Sequence, residues 1–407
     1  MSRPARPHRT VALATAGVGA VAFVALAALF IPWHPVPGGM PAPAPASSVL
    51  TRAEVGRAES WSAWARVWSW SGLAVSILVP ALLGFTRHGR RLVDRLPGRW
   101  PVQVVLAVVV VELAVRLATL PMAVAQQQHA IDGGLTRQPW PAFALDVAEN
   151  LLLDTVVVAV LVLLLVACAR RWRRAWPAVA GGLVGVLVLL GAFVYPVVVE
   201  PLFNSFHPLP DGPLRTGVLA LARREGVTVD DVLVADASRR TTTLNAYVSG
   251  FGSTRRVVLY DNLVHEVPRR QVLSVVGHEL AHAKHEDPLV GALVGVAGAL
   301  LGVGLLGLLA PRLREPRSVP LVLALLALGS FLALPVQNAL SRQVETRADV
   351  AALRYTHDPE AFVAVQKQLM VHSLADPTPP APSQFWFGSH PTGLQRIAIA
   401  RRLGSTG

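Results

Sequence analysis

The sequence of 407 residues holds one cysteine, Cys168. That excludes an intramolecular disulfide and any metal site built from several thiolates. Lysine is nearly as scarce: it stands only at Lys284 and Lys367, and arginine supplies the rest of the basic charge. Charged residues of both signs make up 15% of the chain, low for a soluble protein of this size. The formal net charge of +12 does not mark a nucleic-acid partner, because the arginines cluster beside apolar blocks. Few lysines beside abundant Ala, Gly and Pro suggest a GC-rich bacterial genome.

Apolar residues are plentiful, at 53% of the chain, and they fall in long blocks. Arg3, Arg6 and Arg9 precede an apolar run at 11–31. It is longer than a signal-peptide core and reads as a retained anchor; cleavage among the small residues of 40–48 is the alternative. The Pro-rich stretch 35–45 reads as an extended linker. Further blocks at 67–85, 102–124, 145–168, 178–199, 289–309 and 321–340 are each near the ~20 residues that a bilayer requires. The expectation is a multi-pass protein of the cell membrane with about seven spans.

Arginines set its orientation. Arg87, Arg90, Arg91, Arg95 and Arg99 follow the second span, Arg170, Arg171, Arg173 and Arg174 the fourth, and Arg312, Arg314 and Arg317 the sixth. With seven spans these loops share one side, the cytoplasmic one, and the segments 200–287 and 341–407 face outward. Glu112, Arg116, Asp146, Glu149 and Asp154 lie within spans, which suits a polar interior; Glu112 and Arg116, four apart, are also placed to pair with each other. Gly181/Gly185, Gly291/Gly295 and Gly298/Gly302 are spaced for close helix packing. The chain divides into a membrane part (1–200), a soluble insertion (201–288), two more spans (289–340) and a C-terminal segment (341–407).

Within the insertion, Pro213 opens a helix that stops at Gly226, and 231–235, 243–249 and 256–260 read as strands. The stretch with Asn245, Ala246 and Tyr247 is either an ordinary hairpin strand or an edge onto which a peptide adds a strand. A helix at 272–287 carries His278-Glu279-Leu280-Ala281-His282. Imidazoles four apart leave one helical face and can hold one ion, with Glu279 set to reach a water rather than the metal. Two imidazoles and one further ligand suit zinc, one per chain. His285 lies about 10 Å from His278 along the axis, too far to share the ion. After the last span, Glu345 and Asp349 share a helical face. Glu345 is the candidate third ligand, and Asp349 can fix the tautomer of a ligand histidine. Both also fit a solvated surface.

In order along the chain, Pro201-Leu202-Phe203-Asn204, Asn245-Ala246-Tyr247, Val257-Leu259-Asp261, His278 to His282, Ser341-Arg342 with Glu345 and Ala348-Asp349, and His390-Pro391 with Arg396 resemble the CAAX prenyl proteases of the sterile-24 type, here as a bacterial member. The resemblance implies an integral-membrane zinc endopeptidase with seven helices around a chamber and a small α+β peptidase insertion. It assigns zinc to His278, His282 and Glu345, general-base catalysis to Glu279, substrate alignment to the strand of Asn245, and contact with the scissile region to His390 and Arg396. The expected partners are the lipid bilayer and a peptide or protein substrate, membrane-associated ones included. Eukaryotic members face the cytosol, whereas the arginines here place the peptidase outside. The rival reading is a non-catalytic membrane protein that binds peptide or lipid and uses zinc structurally.

Overall fold

A computed structural model of the protein describes residues 6–194, 205–250, 252–310 and 312–405. The motif at 201–204 and the end of the 178–199 block lie outside them. In chain order the first helices are α1 (Arg6–Phe30), α2 (Arg52–Phe85), α3 (Arg87–Asp94), α4 (Trp100–Asp132), α5 (Trp140–Arg171) and α6 (Trp176–Val194). The soluble part follows as β1 (Phe206–Pro208), α7 (Pro213–Glu225), β2 (Asp231–Ala235), β3 (Ala246–Ser249), β4 (Arg256–Tyr260), α8 (Asp261–Glu266) and α9 (Arg269–Lys284). Then come α10 (Asp287–Leu309), α11 (Val319–Thr356), α12 (Pro359–His372), α13 (Ala381–Phe387) and α14 (Gly393–Gly404).

Seven of these, α1, α2, α4, α5, α6, α10 and α11, are long and apolar enough to cross a membrane. α2, α4, α5 and α11 run well beyond their apolar blocks. The Thr51 side chain accepts from the Glu54 amide while Glu54 accepts from the Thr51 amide at 2.6 Å, so α2 starts well before its apolar part. The 38 residues of α11 span about 57 Å, and they unite the expected span at 321–340 with the helix after it. α11 is therefore longer than the ~30 Å hydrocarbon layer is thick, and Glu345 lies past its apolar block.

The wall closes neighbour on neighbour: α2 on α4, α4 on α5, α5 on α6, α6 on α10, α10 on α11 and α11 back on α2, with α1 against α10 and α6. A Cβ at Gly19 would come within 2.3 Å of the Leu301 nitrogen, and one at Gly304 within 2.4 Å of the Ala16 nitrogen, so α1 and α10 touch backbone to backbone. Gly181, Gly185 and Gly295 do lie at the α6–α10 contact. Gly291, Gly298 and Gly302 do not pack as their spacing suggests, because that face of α10 meets open space. Within the wall Arg116 pairs with Asp154 at 3.5 Å, across α4 and α5, rather than with Glu112 on its own helix. The arginine-rich loops are joined at one rim: Arg170 donates to the Arg314 carbonyl at 2.9 Å, and Arg317 pairs with Asp94.

At the other end lies a four-stranded sheet in the order β1-β2-β4-β3, with β2 and β4 parallel and the outer pairs antiparallel. β1 has no counterpart among the expected strands, and the stretch at 243–249 narrows to β3. Gly226, with φ 75°, ends α7 as anticipated. Val257 and Leu259 from the sheet pack with Leu221, Leu263, Val276 and Leu280, which seats α9 on the sheet. The stretch 35–45 is not a free linker. Val36 and Ala44 are buried, Ala44 donates to the Leu394 carbonyl at 3.0 Å, and Arg402 holds the carbonyls of Pro37 and Gly39. It braces α14.

Candidate metal centre

The apolar stripe Val272, Val276 and Leu280 fixes α9 against the sheet and turns His278 and His282 toward α11. Gly277 faces α11 at close range: a Cβ there would meet the Ala352 Cα at 3.4 Å, an ordinary contact. Glu345 then meets both rings. Its Oε2 is 3.0 Å from His278 Nε2, its Oε1 is 3.7 Å from His282 Nε2, and the two ring nitrogens are 3.2 Å apart. Ligands ~2.05 Å from a tetrahedral zinc lie about 3.3 Å from one another, so the donor set has the right size and chemistry. His285 stands exposed outside this group.

The electrostatics also ask for a cation. Burial lowers the His278 pKa, but hydrogen bonds to Asp349 and Glu345 outweigh it and raise the ring to about 10. Two imidazole nitrogens facing each other beside a carboxylate make a place where positive charge is favoured.

Behind the ligands each histidine meets a carboxylate through its other nitrogen. His278 Nδ1 is 2.9 Å from Asp349 Oδ1, and His282 Nδ1 is 2.9 Å from Asp287 Oδ2. Arg396 is committed to Asp349: its Nε donates to Oδ2 at 2.9 Å and its Nη2 to Oδ1 at 2.5 Å. Its guanidinium thus sits behind the ligands and does not line the cleft, and it supplies the counter-charge of the buried Asp349. His390 stands in front, half-exposed, with Nε2 3.2 Å from Glu345 Oε2. Desolvation lowers its pKa while Glu345 opposes that. Arg342 fixes its loop by donating to the Gln384 and Gly388 carbonyls at 3.2 and 2.6 Å.

A cleft of about 490 Å³ joins the pieces, lined by Asn245 to Val248, His278, Glu279, His282, Glu345 and His390. β3 is an edge of the sheet. Tyr260 donates to the Asn245 carbonyl at 3.0 Å, so by antiparallel alternation Tyr247 turns its main chain to β4 while Ala246 and Val248 turn theirs to the open edge. The Asn245 side chain accepts from the Ala246 amide at 3.0 Å. Glu279 lines the cleft without joining the ligand group, and burial raises its pKa against the pull of His278 and His282.

Asp287 and Arg347 were not singled out by sequence reasoning. Asp287-Pro288 is a helix-start signature that marks a break after His285, but no local pattern shows that Asp287 turns back to His282.

Comparisons with known proteins agree with this arrangement. A family model described as "Peptidase family M48" matches residues 208–403, and one described as "CAAX prenyl protease N-terminal, five membrane helices" matches 61–205. The "Uncharacterized metalloprotease YhfN" of Bacillus subtilis is 29% identical over 74% of each chain. A "CAAX prenyl protease 1 homolog" of Dictyostelium discoideum is 42% identical over 25% of this chain and 24% of its own. The crystal structure of S. mikatae Ste24p superposes with a TM-score of 0.77 over 96% of this chain and 99% of that one, at 18% identity, and shares its fold. The two family models meet almost end to end from the membrane helices through the His/His/Glu centre, and the chain therefore belongs to the CAAX prenyl protease branch of peptidase family M48, as a polytopic membrane metalloprotease.

Proposed function

We propose that the protein is a zinc-dependent endopeptidase that cuts peptides or proteins at the membrane, with one zinc held by His278, His282 and Glu345. When bound, zinc supplies Lewis-acid chemistry, lowering the pKa of a coordinated water and polarising a carbonyl. A substrate segment pairs as a strand with the outward carbonyl of Ala246 and the outward main-chain groups of Val248, which brings its scissile carbonyl across the cleft to the ligand group. Glu279 takes the proton of the attacking water on its carboxylate and delivers it to the leaving amine. His390 donates from Nε2 to the carbonyl oxygen as that oxygen gains charge. Asp349, backed by Arg396, holds His278 in its ligating tautomer. The arginine rim faces the cytoplasm and the cleft faces the outside.

The position of Glu279 carries this reading. A structural zinc site closes with four protein ligands, whereas among the described residues three converge here and a carboxylate lines the cleft beside them. A zinc-containing scaffold would leave Glu279 without a task. Purified Glu279→Gln protein is expected to retain zinc and to lose peptide cleavage by ~10²–10⁴-fold. Equal cleavage by wild type and variant would remove the endopeptidase reading.

A further inference from the structure

The corner between α9 and α10 brings to His282 a carboxylate that local spacing alone would keep away. Residues five apart on an unbroken helix point about 140° from each other, so Asp287 could not return to His282 if α9 ran straight on. Glu286 breaks the run. Its φ of 53° lies in the left-handed region, uncommon for a residue with a side chain, and such outliers concentrate at functional sites. Arg255, 9% exposed just before β4, pairs with Glu286 and pins this backbone. Asp287 then offers one oxygen to His282 Nδ1 at 2.9 Å and the other to Arg347 Nη2. Arg347 stands on α11 two residues after Glu345, so one carboxylate connects the helix of the two histidines with the helix of the acidic ligand.

We infer that Asp287 is a positioning residue for the metal. Resting on the zinc reading above, it holds His282 with Nδ1 protonated and Nε2 free toward the ion. Each ligand histidine thereby has its own carboxylate, Asp349 for His278 and Asp287 for His282, and each carboxylate has its own arginine. The fixed tautomer removes the cost of reorienting the ring when the ion binds. Arg347 keeps Asp287 from rotating away, and the Arg255–Glu286 pair keeps the corner in the backbone conformation that the contact requires.

The test uses full-length protein in detergent, with zinc affinity measured by competition against a chromophoric chelator and the visible spectrum recorded after cobalt substitution. Asp287→Ala is expected to weaken zinc ~10–100-fold and to shift the cobalt bands, with Arg347→Ala moving both in the same direction. Asp287→Asn keeps an acceptor oxygen for Nδ1 and is expected to recover part of the affinity, which a merely structural role would not produce. If Asp287→Ala fails to fold, Asp287→Asn and Arg347→Ala carry the same comparison. Wild-type zinc affinity and cobalt spectrum in the variants that fold would overturn the inference. A wild-type chain that binds no zinc would overturn the zinc reading beneath it, so the two failures are distinguishable.

Discussion

Arg396 donates to both oxygens of Asp349, a carboxylate with no exposed surface. The two stand 47 residues apart on α11 and α14, and their pairing lets an acid lie buried behind His278. It also gives the C-terminal helix a direct part in shaping the site.

Removing one partner of such a pair leaves a buried charge without compensation. Arg396→Ala is therefore expected to destabilise the protein by about 3–5 kcal/mol and to weaken metal binding along with it. Thermal melting in detergent and metal content measure the two effects. An unchanged melting temperature would show that Asp349 needs no counter-charge.

Glu225 lies fully buried at the end of α7 against Gly277, and neither carboxyl oxygen has a partner. Burial pushes its pKa from 4.5 to about 8, against Lys284, Arg224 and His278. The folded protein thus holds a proton that the unfolded chain releases, so this group's stability contribution falls as pH rises from 4.5 to about 8. Glu225→Gln removes the dependence. The variant's melting temperature relative to wild type is expected to climb through that window, and a flat difference would count against the buried neutral acid.

The open edge of β3 makes a separate prediction. Val248→Pro removes one outward amide and no ladder bond, and proline is tolerated on edge strands. Losing one peptide–strand hydrogen bond, about 0.5–1.5 kcal/mol, is expected to raise KM by up to ~10-fold with zinc content unchanged. Peptide kinetics on the variant would refute strand pairing if KM did not move.

Orientation can be read chemically. Arg223 is exposed on α7, and the native Cys168 is buried. Arg223→Cys in a Cys168→Ser background is expected to react with a membrane-impermeant thiol reagent on intact cells. Labelling confined to broken cells would place the cleft in the cytoplasm.

Much of this protein was decided by local pattern. Apolar runs of bilayer length become helices wherever they sit, because lipid leaves the backbone no other partner, and that set the seven spans. Helical periodicity put His278 and His282 on one face, and the strands at 231–235 and 256–260 followed from β-branched runs between turns. Tertiary structure decided what polar side chains touch. Arg396, Arg116 and Asp287 each have an acceptable partner or environment nearby in sequence, yet each finds its partner where packing leads. Arg396 meets a buried acid on another helix, Arg116 crosses to α5, and Asp287 returns to His282 over a left-handed corner. The brace at 35–45 and the uninterrupted α11 are of the same kind. Apolar burial is non-directional and can be counted along a sequence, whereas a hydrogen bond or ion pair needs two atoms within about 3 Å, a distance that only the folded chain sets.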